Sequence, residues 1–191
     1  MKNRDKLPVG DKPAPGDLAF VQGFLNLLRY MIVHPEYNKA KNIKIWMVRH
    51  GLLANNIPVK EAEKKKAYRL FDILWNSLEV GDKNWFDKKH ARNLNRLIDE
   101  FQLSIQFKAY CRTVIEPKTK GIDKALGKLL VVVIESVKGG EWGHLKICHN
   151  EACRWIFFDS SKNGSGRWCS MKACGSRAKA KAYRARQSEK K

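Results

Sequence analysis

The sequence has little acidic charge and lacks a long hydrophobic run. It contains 38 Lys and Arg residues against 19 Asp and Glu residues, a formal net charge of +19. The longest aliphatic run, residues 129–134, is far shorter than the roughly 20 apolar residues that a membrane helix requires. Residues 1–16 are polar and lack the apolar core of a secretory signal, so we interpret them as a flexible leader. These absences predict a soluble, cytoplasmic protein that does not bind membranes.

Motifs typical of enzymes are also absent. The sequence has no HExxH, no GxSxG and no Gly-rich loop of the kind that holds phosphate groups. His34, His50 and His90 fall in separate segments, with no local constellation of Cys, Ser or Asp that suggests a nucleophile and its base. We therefore expect no enzymatic activity.

The positive charge is concentrated near the C-terminus. Residues 145–191 contain 12 basic and 3 acidic residues, a net charge of +9 in about a quarter of the chain. A field of this sign attracts polyanions, among which nucleic acid is favoured.

The first 140 residues have mainly helical periodicity. Apolar residues recur at three- and four-residue steps, and Asp17 precedes the first such segment as a candidate cap. Helices are predicted over residues 17–34, 43–53, 58–81, 85–101 and 121–138. Alternation over residues 103–110 predicts a strand, with a second at 111–115. The fold class is therefore predicted as α+β, mostly α, with a small β element in the helical domain.

Four of the five cysteines form two pairs near the C-terminus. Cys148 and Cys153 are separated by four residues, and Cys169 and Cys174 repeat that spacing after a further fifteen residues. Two close pairs supply the four thiolates of a tetrahedral metal site. We predict one structural Zn²⁺ per chain on these residues, and we interpret the remaining Cys111 as a buried apolar residue.

Alternatives to this ligand set remain open. His144 and His149 lie close to the first pair and could replace a cysteine. An iron–sulfur site is a further alternative, although a plant-type ferredoxin follows its C-x4-C step with a C-x2-C step, and this sequence does not.

Short strands are predicted at residues 145–147 and 155–158, on either side of the first pair. We interpret Trp155, Phe157 and Trp168 as a small core around the metal rather than as platforms for stacked bases.

Two stretches around the cysteines resemble the CGNR zinc-finger family. They are Cys-His-Asn-Glu-Ala-Cys-Arg-Trp-Ile-Phe-Phe-Asp at 148–159 and the segment from Arg167-Trp-Cys-Ser-Met to Lys179. The resemblance implies a zinc finger that binds DNA in a bacterial transcription regulator, preceded by a mainly helical ABATE domain. The name-giving tetrad has Ser176 in place of Asn, and because both residues cap helices, we expect the turn to survive.

The resemblance and the periodicity together divide the chain. We predict a leader at 1–16, an ABATE-like helical domain at 17–140, a finger with a basic helix at 145–187, and a tail at 188–191.

Basic residues of the finger and its helix are the candidate nucleic-acid contacts. Arg177, Lys181 and Arg184 fall on one face of the predicted helix, whereas Arg154 and Arg167 could equally pack on Trp155 or Trp168. The full candidate set is Arg154, Arg167, Arg177, Lys179, Lys181, Arg184 and Arg186.

The resulting hypothesis is a nucleoid-associated regulator that binds DNA through its finger and basic helix. The N-terminal domain would serve sensing or dimerisation, so a homodimer and an effector of unknown identity are compatible with it. The alternative is a finger that binds RNA or a protein partner.

Overall fold

The computed structural model describes residues 12–79, 87–110 and 112–188. Within them the chain forms six α-helices and two antiparallel strand pairs, which agrees with the predicted fold class. The helices are α1 (Leu18–Val33), α2 (Ala40–Arg49), α3 (Glu61–Glu79), α4 (Lys88–Glu100), α5 (Gly121–Gly139) and α6 (Ser176–Ser188). The strands are β1 (Leu103–Lys108), β2 (Arg112–Pro117), β3 (Leu145–Ile147) and β4 (Ile156–Phe158).

Helices α1 and α5 form the centre of the core. The side chains of Val21, Leu25 and Leu28 on α1 are fully buried, as their spacing predicts. Helix α5 packs against α1, α3, α4 and β2. At Gly127 it approaches β2 so closely that an added Cβ would lie 2.7 Å from Cβ of Pro117. This glycine therefore sets the distance between the helix and the hairpin.

Several predicted helix starts are wrong by about one turn. Helix α3 begins at Glu61 rather than at residue 58. The Glu63 carboxylate accepts a hydrogen bond from the backbone N–H of Lys60 at 2.7 Å, which caps the helix at this later point. Asp17 precedes α1 but makes no side-chain cap. Helix α2 begins at Ala40, three residues before the predicted start.

The first hairpin is present as predicted, but much of its apolar side is not buried. Strands β1 and β2 pair Ile105 with Ile115 and Phe107 with Thr113. Alternation identified β1 correctly, yet Ile105 is 68% exposed and Phe107 is 83% exposed. Cys111 lies outside the described residues, so its predicted burial stays a prediction.

The described end of the predicted leader is packed onto the body. The backbone N–H of Phe158 in β4 donates to the carbonyl of Lys12 at 3.0 Å. Ala14 is buried, and its N–H donates to Oε1 of Gln22 at 2.6 Å. The prediction of a flexible leader is therefore wrong for residues 12–16, while residues 1–11 lie outside the described residues.

The C-terminal strand pair contributes to the same core as the helices. Strand β3 pairs with β4 in antiparallel register, Leu145 with Phe158 and Ile147 with Ile156. Leu145, Ile147 and Ile156 are buried in the main hydrophobic core. The strands that follow the predicted boundary between residues 140 and 145 therefore share the core of the helices, while the residues around the cysteines form a second, smaller cluster.

Candidate metal centre and basic surface

The first cysteine pair lies on a tight turn between β3 and β4. The N–H groups of Cys153 and Arg154 both donate to the carbonyl of Asn150, at 2.8 and 2.9 Å. Arg154 has a φ of +54°, a left-handed conformation in which the chain reverses towards β4. The N–H of Cys148 donates to the carbonyl of Trp155 at 2.9 Å, which continues the strand ladder to the first thiol. The turn therefore brings both sulfurs to one side.

The second pair flanks the start of a π-helical turn, Met171–Gly175, that leads directly into α6: Cys169 precedes this turn and Cys174 lies in it. The carbonyl of Ser170 accepts hydrogen bonds from the N–H groups of Cys174 and Gly175, both at 3.0 Å. A side chain at Gly175 would collide with Met171, since an added Cβ would lie 2.9 Å from its sulfur. This compact turn places Cys174 two residues before the first residue of α6.

The four thiols meet at one point between these turns. Sγ of Cys169 lies 3.6 Å from Sγ of Cys153 and 3.8 Å from Sγ of Cys174. All four Sγ atoms, including that of Cys148, lie within 4.8 Å of one another. A zinc ion bound tetrahedrally by thiolates at about 2.3 Å requires sulfur atoms about 3.8 Å apart. The four cysteines are therefore arranged to hold one metal ion.

The ionisation of the thiols reflects this crowding. The hydrogen bond from the Cys169 thiol lowers the pKa of Cys153 to about 5. The same bond and burial raise the pKa of Cys169, while burial raises that of Cys174. Without a cation, the crowded sulfurs resist a second negative charge. A bound metal ion would remove that penalty and release the protons.

The two histidines near the first pair make other contacts. Nδ1 of His144 lies 2.9 Å from the carbonyl of Asp159, and its ring packs on Phe158. His149 meets Trp168 edge to face, with ring centroids 5.9 Å apart. Among the described residues, the group that could hold a metal at this place consists of the four cysteines.

Asp159 holds the loop between the two cysteine pairs. Its side chain is 1% exposed, and its carboxylate accepts hydrogen bonds from Lys146 Nζ at 2.8 Å, the Ser161 hydroxyl at 2.7 Å and the Gly166 N–H at 2.7 Å. Burial alone would raise the pKa of Asp159, but these donors outweigh it and hold the pKa well below its usual range. Lys146 also donates to the carbonyl of Gly164. The loop is thus fixed around one buried carboxylate.

The aromatic residues near the cysteines lie where a small core was predicted. Phe157 is fully buried and Trp155 is buried, both beside the cysteine cluster, and the partly buried Trp168 packs against it. Phe157 also lies under the ammonium group of Lys12, 5.0 Å from the ring centroid. A buried ring cannot stack on a base unless the finger opens.

Residues 144–187 match the family model of the CGNR zinc finger. The match covers both cysteine turns, the Asp159 loop and nearly all of α6. A search of curated proteins found no match for the chain. We call this segment the CGNR finger below.

Ser176, at the position of the family's Asn, makes a contact different from the predicted one. Its hydroxyl donates to the carbonyl of Met171 at 3.1 Å, in the turn before α6. The sequence predicts a helix cap at this position, in which the side-chain oxygen accepts a hydrogen bond. An Asn amide could donate in the same way, so the substitution preserves a donor at this position.

The predicted nucleic-acid residues fall into two groups. Arg177, Lys179, Lys181, Arg184 and Arg186 are all exposed on α6, none of whose thirteen described residues is buried. Arg154 instead contacts the helical domain, where its guanidinium pairs with Glu79 and lies 5.7 Å from the ring centroid of Trp75. Arg167 is exposed at the edge of a cleft.

That cleft, of about 600 Å³, was not anticipated from the sequence. It opens between the end of α3 and the CGNR finger, and its lining includes Glu79, Lys146, His149, Arg154 and Arg167. Its two sides come from segments about 70 residues apart in the chain, so no local sequence pattern indicates the cleft. The cleft places positive side chains of the finger next to the helical domain.

The hydrogen bonds that join the finger to α1 were missed as well. Gln22 and Asn26 are buried, and both donate to the carbonyl of Ile156, at 3.0 and 2.9 Å. The sequence does contain an indication of these bonds. Gln22 and Asn26 are four residues apart and lie beside the apolar stripe of α1, so both face the core. The sequence did not show what they would bind.

Within the described residues, no helix combines the length and the apolar character needed to cross a membrane.

Proposed function

We propose that the protein is a zinc-dependent DNA-binding protein that acts as a bacterial-type transcription regulator in the cytoplasm, associated with the nucleoid. The metal would be Zn²⁺, one per chain, bound by Cys148, Cys153, Cys169 and Cys174. Four thiolates fill a tetrahedral coordination shell, so the ion would stabilise the fold and leave no open position for catalysis. We expect no enzymatic activity.

The observation that carries the proposal is the position of α6. The helix has five Lys and Arg residues, no acidic residue among residues 176–188 and no buried side chain. Burial does not hold such a helix in place, and a polyanion would offset its charge. Because α6 starts two residues after a cysteine of the cluster, the metal would position it.

The residues on α6 suit the backbone of a nucleic acid. Arg177, Lys181 and Arg184 share one face, on which they could contact successive phosphates, and Arg side chains could in addition read guanine edges. Arg154 contributes less to this surface, because it is paired with Glu79.

The helical domain would act as an ABATE-like sensing or dimerisation domain. Its mainly helical structure is compatible with what the resemblance implies, and the shared core with the finger provides a physical route for coupling. A small-molecule effector or a second copy of the chain would then influence DNA binding through α1 and the strands of the finger.

The test combines metal analysis with DNA binding. We expect one zinc per chain, and binding of duplex DNA that weakens steeply with salt and upon chelation. Changing Arg177, Lys181 and Arg184 together to Ala should reduce the salt slope, d log K/d log [salt], by about 2 to 3, at about 0.9 per lost phosphate contact.

The matched control removes Lys39, Lys41 and Lys124, which are exposed near the opposite end of α3. It should change the slope by much less. Zinc without binding to duplex DNA would overturn the proposal and favour the alternative, a finger that binds RNA or a protein.

A further inference from the structure

Helix α4 of the helical domain carries a second basic face. Lys88, Lys89, Arg92 and Arg96 fall within about 100° of its circumference, and all four side chains are exposed. Leu97, which is buried, lies on the other side of the helix. The helix is therefore divided sharply into a side that packs against the body and a cationic side that faces solvent.

The four cations of this face lack ion-pair partners among the described residues. Some other cations of the helical domain do have partners: Lys64 pairs with Glu61 at 2.7 Å, Lys66 pairs with Asp123 at 2.7 Å and Arg69 pairs with Glu100. The positive charge on α4 is thus available to an external anion.

Two carboxylates border the face. Asp87 caps α4 by accepting hydrogen bonds from the N–H groups of Lys89 and His90, at 2.9 and 2.8 Å, and it also contacts the His90 ring. Asp99 is exposed at the far end. Two negative charges at the ends leave an excess of +2 over the face as a whole.

The first turn of α4 lies next to the CGNR finger. A cleft of about 390 Å³ is lined by Glu79, Lys89 and His90, among others, and the larger cleft beside it also includes Glu79. Glu79 in turn pairs with Arg154 of the finger. The finger and the start of α4 therefore lie on either side of one ion pair.

We propose that the basic face of α4 is a second DNA-contacting surface, which binds the phosphate backbone next to the segment held by the finger. This inference rests on the proposed function and extends it, because the helical domain would take part in binding directly. The distance from Lys88 to Arg96 along the axis is about 12 Å, over which one strand of B-DNA carries about three to four phosphates. The contacts would be independent of sequence.

The test uses the full-length, zinc-loaded protein and a mixed-sequence duplex of about 30 base pairs. Changing Lys88, Lys89, Arg92 and Arg96 together to Gln should weaken binding at least about tenfold at moderate salt and reduce the salt slope by about 2 to 4. A charge-matched control changes Lys39, Lys41, Lys124 and Lys128 to Gln. These four residues are exposed, and the neighbours of Lys39, Lys41 and Lys124 contact the first two turns of α3, at the end away from Glu79. Their removal should leave most of the slope in place.

The outcomes separate this inference from the proposed function. Unchanged affinity and slope in the α4 variant, with a reduced slope in the α6 variant, would overturn the α4 surface and leave the DNA-binding function standing. An equal loss in the control would also overturn it, because net charge alone would then explain the effect. Absence of duplex binding by the unaltered protein would overturn both.

A second measurement needs no variant. Acetylation of lysines in the unaltered protein, followed by mass spectrometry, should show that DNA protects Lys88 and Lys89 but leaves Lys41 and Lys124 reactive. Equal reactivity of Lys88 and Lys89 with and without bound DNA would contradict the proposal, whatever the stability of the α4 variant.

Discussion

Asn26 of α1 pairs with both backbone groups of Ile156 in β4. Its Oδ1 accepts from the Ile156 N–H at 2.8 Å, and its Nδ2 donates to the Ile156 carbonyl at 2.9 Å. The Asn26 side chain thus forms the pair of hydrogen bonds that the backbone of a neighbouring strand would form, and both bonds are buried. Gln22 adds a second donor to the same carbonyl. The CGNR finger is therefore anchored to the helical domain by directional bonds.

Replacement of Asn26 by Ala should destabilise the whole protein. It leaves the buried N–H of Ile156 without its acceptor, which costs about 1–3 kcal/mol beyond the bonds themselves. Urea unfolding followed by circular dichroism should show a lower midpoint. Asn55→Ala, at an exposed position, is the control and should leave the free energy of unfolding within about 0.5 kcal/mol of the parent value. Equal stability of the two variants would show that the contact does not hold the finger.

Loss of the metal should destabilise the helical domain as well as the finger. From the sequence alone, loss of the metal is expected to unfold the finger and leave the helical domain folded. However, Leu145, Ile147 and Ile156 belong to the main core, so the two parts should be destabilised together. Cys148→Ser and Cys169→Ser should each lose the metal and lower the thermal midpoint of the helical signal, whereas Cys111→Ser should retain one metal per chain. Retention of the metal by the first two variants would refute the ligand set.

The parts of this fold that the sequence predicts are those that depend on local patterns. Periodicity predicts the helices because a buried stripe such as Val21, Leu25 and Leu28 repeats with the helical turn. The cysteine spacing predicts the metal site because each pair is closed by one short turn. Both patterns are complete within a few residues.

The docking of the finger is not local. Asn26 and Ile156 are 130 residues apart, and Arg154 and Glu79 are 75 residues apart. Polar groups can pair with many partners, so their residue types do not specify which contact forms. The exposure of Ile105 and Phe107 could not be predicted for a related reason, since alternation defines the two sides of a strand without showing what covers either side.

Asp159→Asn should loosen the loop between the cysteine turns and change the pH dependence of stability. The folded pKa of Asp159 lies below its unfolded value of about 3.9, so the contribution of its carboxylate is fully present at neutral pH. It is lost as the pH falls below about 4 towards the folded pKa. Urea unfolding should therefore show a difference of about 2 kcal/mol between parent and variant at pH 7.

That difference should shrink as the pH is lowered to 3. The comparison concerns the difference between the two proteins, because both would lose the metal in acid as the thiolates are protonated. A difference that is constant with pH would show that the charge of Asp159 is not what holds the loop. Ser160→Ala, at an exposed neighbouring position, is the control.

Gly166→Ala should destabilise the same loop by crowding. An added Cβ would lie 2.5 Å from Oδ1 of Asp159, and this carboxylate is fixed by its other donors and cannot move away. The expected cost is about 1–3 kcal/mol, measured by urea unfolding. The adjacent, exposed Ser165→Ala should cost little. If both substitutions are tolerated equally, the loop has more freedom than these contacts imply.

Two substitutions at Arg154 separate its backbone role from its side-chain role. Both Arg154→Ala and Arg154→Gly remove the ion pair with Glu79 and the contact with Trp75. Only Gly relieves the left-handed φ of +54°, so the Gly variant should be more stable than the Ala variant by about 1 kcal/mol. Loss of one phosphate contact lowers the salt slope of DNA binding by about 0.9. Because Arg154 is already paired within the chain, both variants should lower the slope by less than this value. A full loss of 0.9 or more in both would place Arg154 on the DNA-binding surface instead of in the contact between finger and helical domain.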